Sequence, residues 1–459
     1  MSGRIASLLL CLVVGLAPLA LGSNRPLPWA YNALLCGACA IVAAAALLMA
    51  DRRYPPLRLG IITPSLIMLG IAISWALLQV LPMAGSSLAH PNWTVLSQSL
   101  GEDIPGRISV NPNDTLASIA RLLAYATVFI SVFVLARDPG NASLLLRGFV
   151  VSAYLYAIYG LVRYATVSNK IFWFEMMPSG SLSSTFINRN SAATYFGLAA
   201  CASLSLLIRK SRHLLAKTSQ DQTARMKFDV FTRGLSGAFG LELAGFVLLF
   251  TSVLLTQSRA GVVATLAAFG LCLLLQVLRL RRFASGAPTV IVFALIAGSL
   301  YGVLEASGAK VTERLMQTQI DTEGRVAVFH DTVRALSDHA LMGTGLGTFQ
   351  DIFPLYRTDL DPSELVWDKA HNDYLEVLLG LGAPAGLAII LAMAVLASRC
   401  LRGFFQRQRN SHFSLAGFLA SAIVAIHSFF DFSLQIQAVA MAFTLLLAMG
   451  TAQAISDAR

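Results

Sequence analysis

Apolar runs of about twenty residues recur along the whole of this chain, and a helix of that length crosses the hydrocarbon core of a bilayer. Twelve such runs are readable: 5–21, 28–50, 59–81, 116–136, 144–164, 192–208, 236–256, 262–278, 288–304, 374–397, 415–430 and 436–455. Only 13% of the residues are charged and 56% are hydrophobic, whereas soluble domains carry about 25% charged residues. A soluble fold is therefore excluded. Backbone polar groups inside a bilayer must be satisfied within the chain, and runs of this length do so as helices. The expectation is an all-α integral membrane protein with about 12 transmembrane helices, forming a single polytopic domain over residues 1–459, surrounded by membrane lipids.

The formal charge is +10. In a membrane protein this excess reports orientation, not nucleic-acid binding, because basic residues concentrate on cytoplasmic loops. Arg209, Lys210, Arg212, Lys217, Arg225, Lys227 and Arg233 lie together after the sixth run, and Arg399, Arg402, Arg407 and Arg409 after the tenth. Both clusters fall inside when both termini are cytoplasmic. The first run follows Arg4 and resembles a signal peptide, but further spans follow and a retained helix is expected. The six cysteines, Cys11, Cys36, Cys39, Cys201, Cys272 and Cys400, lie in or beside apolar runs. They read as packing residues, the Cys36–Cys39 pair included.

The longest polar interval separates the ninth and tenth runs, over 305–373, and this topology puts it outside. Its stretch 322–376 holds Arg325, His330, Arg334, His339, Arg357, Lys369, His371, Glu376 and a glycine cluster at Gly343, Gly345 and Gly347. A polar loop of that length between spans calls for a function. Within it Val326, Phe329, Val333 and Leu336 recur at helical spacing, predicting a helix over 325–337 with one apolar face. The glycines have no strand–turn–helix frame around them, so they read as a tight backbone path and not a nucleotide fingerprint. Asp359-Leu360-Asp361 reads as a turn.

Certain charged groups sit where a span begins or ends. Arg259 occupies a very short turn between two spans, on the outer side. It is either a snorkelling or capping arginine or an anion site, with Ser258 and Gly261 adding backbone donors. Arg189 between Asn188 and Asn190 is either a helix cap or a polar cluster suited to sugar hydroxyls and phosphate. His371 opens the tenth run, sharing a helical face with Tyr374 as Asn372 does with Glu376; it is either a cap or a general base. His427 and Asp431 form another polar pair at the outer end of the eleventh run, where a helix–helix hydrogen bond competes with a binding role. No His, Cys and carboxylate residues stand at metal-ligand spacing, so no metal or cofactor is expected.

Taken in order, Gln257-Ser258-Arg259-Ala260-Gly261, Gly324-Arg325, the stretch His339 to Gly347, Ala370-His371-Asn372-Asp373-Tyr374-Leu375-Glu376 and Gly380-Leu381-Gly382 resemble the O-antigen ligase/polymerase superfamily, over roughly 243–396. The amino-terminal half resembles it in span pattern and in Phe186-Ile187-Asn188-Arg189-Asn190. The resemblance implies a GT-C-like, metal-independent glycosyltransferase of the bacterial inner membrane, with its active site on the periplasmic face. The donor it implies is a glycan on undecaprenyl pyrophosphate. The acceptor is lipid A–core for a ligase, or a second lipid-linked glycan for an O-antigen or exopolysaccharide polymerase. Ligation is the leading expectation. A flippase or transporter would instead place charges on both leaflets and show related halves, and neither pattern is present. The resemblance makes Arg259, Arg325 and His371 catalytic, with Arg189, Asn188, Asn190, Ser258, Asn372, Asp373, Tyr374, Glu376 and Asp431 as substrate-binding candidates around them.

Overall fold

The computed structural model describes residues 2–48, 57–83, 86–176, 180–215, 237–280, 298, 320–358 and 366–455. Within them the regular elements are helices, apart from one two-stranded hairpin, β1 (Lys170–Ile171) and β2 (Phe174–Glu175). The helices are α1 (Ser2–Leu16), α2 (Pro26–Leu48), α3 (Thr63–Gln79), α4 (Asn92–Leu100), α5 (Pro112–Leu135), α6 (Pro139–Ala165), α7 (Arg189–Leu215), α8 (Ala238–Leu255), α9 (Arg259–Leu280), α10 (Ile320–Asp338), α11 (Phe349–Ile352), α12 (Asp373–Gln406), α13 (Ser411–His427) and α14 (Gln437–Ile455). Eight of these are long and apolar enough to cross a membrane, and α1, α3 and α13 are shorter apolar helices. The protein is an all-α integral membrane protein. Each expected span except the ninth coincides with one of these helices; 288–304 lies outside the described residues, as do Asp359 and Asp361. The six cysteines are free.

Local chemistry sets where the helices begin. Asn111 accepts from the Asp114 amide (3.3 Å) ahead of Pro112, and Asp138 accepts from the Asn141 amide (2.9 Å) ahead of Pro139. Each is a cap followed by a proline at the position where a missing N–H costs nothing. On α2, Leu34, Ile41 and Leu48 are 73%, 73% and 89% exposed, and their seven-residue spacing makes one bilayer-facing stripe. By contrast the apolar stretch of α7 is buried throughout. It is wrapped by α6, α8, α9, α13 and α14, so its two ends are the interior ends of the bundle.

α12 is not one straight rod. At Gly382 its backbone turns to φ 76°, ψ 158°, with Pro384 just beyond. The groups freed there are taken up by the glycine-rich segment before it. The amides of Thr344 and Gly345 donate to the carbonyls of Leu379 (3.0 Å) and Gly380 (2.9 Å), and the Ala383 amide donates to Ala340 O (2.6 Å). The Gln79 side-chain amide donates to Gly380 O (2.9 Å) and Met342 O (2.7 Å). A break in a spanning helix is tolerated where buried partners replace the lost ladder. The close approach demands glycine: Gly343 has φ +70°, and a Cβ there would lie 2.4 Å from Gly380 O. The expected tight backbone path is present.

The expected helix after Arg325 exists as α10, but a different face is buried. Val326 and Val333 are 60% and 51% exposed, whereas Val328, Asp331, Thr332 and Ala335 are fully buried. The small and polar side let α10 lie close, and Asp331 is fastened by Thr358, whose amide (2.9 Å) and hydroxyl (3.2 Å) both donate to its carboxylate. Apolar periodicity alone misassigned the face, because one buried carboxylate with fixed partners outweighed two valines.

Candidate active site

Residues 366–372 lead into α12, and Asn372 ends that approach. Its Oδ1 accepts from the Leu375 amide (3.0 Å) and its Nδ2 donates to Phe429 O (3.2 Å). The helix cap is thus Asn372, and His371 precedes the helix instead of sharing a face with Tyr374. His371 adopts φ +50°, a conformation uncommon outside glycine. Its Nδ1 donates to Asp431 Oδ1 at 3.2 Å, with the histidine side chain 18% exposed and the carboxylate fully buried. Phe432 and Trp367 flank the ring edge-on at 4.8 and 5.5 Å. A carboxylate on Nδ1 fixes the tautomer and leaves Nε2 as the basic nitrogen.

Asp431 is itself held. Its amide donates to His427 O (3.1 Å), and the Ser433 hydroxyl donates to its Oδ2 (3.3 Å). Ser433 also lies 3.3 Å from His427 Nδ1, and Thr194 on α7 reaches both His427 Nδ1 (3.1 Å) and Ser433 Oγ (3.0 Å). His427 therefore makes a helix–helix hydrogen bond, and Ser433 links it to Asp431. Neither Thr194 nor Ser433 carries a sequence signal that singles it out.

The neighbouring candidates on α12 are occupied as staples. Asp373 Oδ2 accepts from Ser428 Oγ (2.9 Å) and the Leu434 amide (3.3 Å). Glu376 accepts from the Ala370 amide (3.0 Å) and faces Lys369 Nζ at 3.6 Å. The Tyr374 hydroxyl donates to Ala425 O (2.8 Å), and its ring lies 4.6 Å from that of Phe429. Together they clamp the segments before α12 and after α13 around His371.

Arg259 begins α9. Ser258 caps that helix, its hydroxyl accepting from the Gly261 amide (3.3 Å), and Gln257 turns the chain with φ +57°. The Arg259 side chain is half-buried and makes no hydrogen bond or ion pair among the described residues. Gly261 allows α9 onto the first turn of α7: a Cβ there would lie 2.4 Å from Ala193 Cβ. That first turn carries Arg189 and Asn190, with Asn188 Oδ1 accepting from the Asn190 amide (2.8 Å). One turn along is Thr194, which touches the Ser433–His427 group beside Asp431. Three motifs far apart in sequence therefore meet at one end of the bundle. The amino termini of α7, α9 and α12 all lie there, and their dipoles favour an anion. Arg325 lies in α10; its side chain is outside the described residues. Among the described residues no group of three or more His, Cys, Asp or Glu could hold a metal.

One arginine escaped the sequence reading. Arg121 lies inside α5, and the apolar length of that run masked it, although a charge within a span is itself a signal.

No curated protein sequence matches the chain. Residues 244–390 match the sequence model of the family described as O-antigen ligase. That region contains Arg259, the glycine segment and His371, and over it this all-helical membrane protein is similar to the O-antigen ligase family, in keeping with the resemblance of its motifs to the O-antigen ligase/polymerase superfamily.

Proposed function

We propose that the protein is a metal-independent glycosyltransferase that moves a glycan from undecaprenyl pyrophosphate to an acceptor hydroxyl on lipid A–core. The carrying observation is the His371–Asp431 pair, at the end of the bundle that also holds the amino termini of α7 and α9 and Arg259, which has no hydrogen-bond or ion-pair partner among the described residues. In this reading His371 Nε2 takes the acceptor proton, and the acceptor oxygen attacks the anomeric carbon. The bond from that carbon to the pyrophosphate oxygen breaks, and undecaprenyl pyrophosphate leaves. Arg259 and Arg325 bear on the negative charge that develops there, each contributing about 2–4 kcal/mol. Arg189, Asn188, Asn190 and Ser258 line the anion and sugar side. Asn372, Asp373, Tyr374 and Glu376 act by holding His371 and the segments round it. The chain works as one polytopic domain in the bacterial inner membrane, both termini cytoplasmic and the site on the periplasmic face.

The test is turnover and donor binding with purified protein in nanodiscs. His371→Ala should lower turnover by about 100- to 10,000-fold while donor binding is retained. Near-normal turnover of that variant at every pH would sink the base assignment. Product formed on a second lipid-linked glycan, with none on lipid A–core, would make the enzyme a polymerase.

A further inference from the structure

A cavity of about 270 Å³ lies between α3, α5, α12 and α14. Along the unbroken α5 its lining runs from Ser118 to Phe129, which at 1.5 Å per residue is roughly 17 Å, about half the depth of the hydrocarbon core. It is a lengthwise slot, walled deep down by side chains such as Leu69, Phe129 and Met393. At the end nearest His371 its character changes. There Asp373 and Glu376 of α12 share the lining with Ser118, Arg121 and Tyr125 of α5.

Arg121 donates to Ser118 Oγ (2.8 Å) and lies over the Trp29 ring at 4.2 Å. Its buried Nε and the buried Tyr125 hydroxyl, one turn along the same face, meet no hydrogen-bond partner among the described residues. Buried polar groups are ordinarily satisfied, and an arginine within a span pairs or serves a function. The nearby carboxylates do not answer it, because Asp373 is turned to Ser428 and Leu434 and Glu376 to Ala370 and Lys369.

We propose that this slot holds the isoprenoid tail of the lipid-linked substrate, with the tail-side phosphate on Arg121 and the Tyr125 hydroxyl. This rests on the reading of the protein as a transferase acting on a lipid-linked glycan. A long apolar slot lying along the spans suits one extended chain, where a diacyl lipid must house two. A guanidinium and a hydroxyl at its polar end match the oxygens of a phosphate attached to that chain.

Undecaprenyl phosphate, which has the tail and a phosphate but no sugar, is the probe, with binding measured on the full chain in nanodiscs. Arg121→Gln should weaken binding by about 10- to 100-fold, the loss of a charge-assisted contact. Tyr125→Phe, which removes one oxygen, should weaken it by about 3- to 10-fold. Met393→Trp fills the deep part of the slot. It should weaken undecaprenyl phosphate while leaving geranyl phosphate, whose short tail ends before that depth, unchanged. Wild-type binding of undecaprenyl phosphate by all three variants overturns the proposal. So does equal competition by phosphatidylglycerol, which would make this a site for ordinary bilayer lipid. His371→Ala should bind the probe normally. If that variant keeps turnover while Arg121→Gln loses binding, the slot stands and the assigned base falls.

Discussion

Asp431 carries the histidine assignment, because a lone histidine ahead of a helix has no chemistry until something orients it. The carboxylate accepts from Nδ1, so only Nε2 is free to take a proton. Asp431→Asn keeps the shape but offers an amide that can donate to Nδ1, favouring the wrong tautomer. Turnover should fall by about 100-fold or more, with donor binding unchanged; normal turnover would show that Asp431 serves packing alone. Arg259 poses a different question. Arg259→Lys keeps the charge and loses the planar fork that binds two phosphate oxygens at once. It should remain impaired by about 30-fold or more at normal protein level, and full rescue by lysine would reduce Arg259 to a point charge.

Among the helices, the break in α12 is the most constrained element. Gly343→Ala forces a Cβ against backbone at a positive φ, and neither neighbour can yield. It should cost about 2 kcal/mol or more in thermal unfolding in detergent. Gly37→Ala on lipid-facing α2, with open space around it, should be neutral or stabilise by up to about 1 kcal/mol. If the two variants melt alike, the glycine segment is not what supports the break. Outside the spans, the loop before α4 meets the end of α10 through His90 and His339, stacked at 5.0 Å. Tyr356 joins His339 (3.1 Å) to Asp338 (3.0 Å), with Arg334 over the tyrosine ring. Burial, then the nearby His339, lowers His90 from 6.5 to about 4, and burial lowers His339 as well. Both are lowered cationic acids, so the unfolded chain binds more protons below pH 6.5, down to about 4 for His90. The stability contribution is whole above about pH 6.5 and is lost as pH falls, for His90 towards 4. Melting in detergent should fall over that window, and His90→Phe should flatten the fall; an unchanged slope would remove the clasp from the account.

For the molecule as a whole, orientation and metal independence are the open quantities. Cysteines introduced at Asp103 and Ser363 should react with an impermeant thiol reagent added outside intact cells, and one at Gln220 should not. External labelling of Gln220 would invert the topology and remove the site from the donor's leaflet. Transfer should persist in excess chelator, because arginines and helix termini are assigned the work a divalent ion would do. Loss on chelation with rescue by a divalent ion would overturn that assignment.

Helical class and the places of eleven of the twelve expected spans, those among the described residues, were legible in the chain, since bilayer thickness and backbone satisfaction leave few alternatives for apolar runs. Capping was placed one residue off: His371 was the expected cap, whereas Asn372 caps α12 by accepting from the Leu375 amide. What partners His371 was not legible, because Asp431 lies in another turn and reaches it only through the packing of α12 against α13. The buried face of α10 was misread because it is set by Thr358 on Asp331, a contact between elements. Arg121 passed unnoticed inside an apolar run until α5 met α3, α12 and α14. Composition and periodicity act along the chain and determine what crosses the membrane; which polar groups meet there is decided by contacts between helices, and only the tertiary structure holds those.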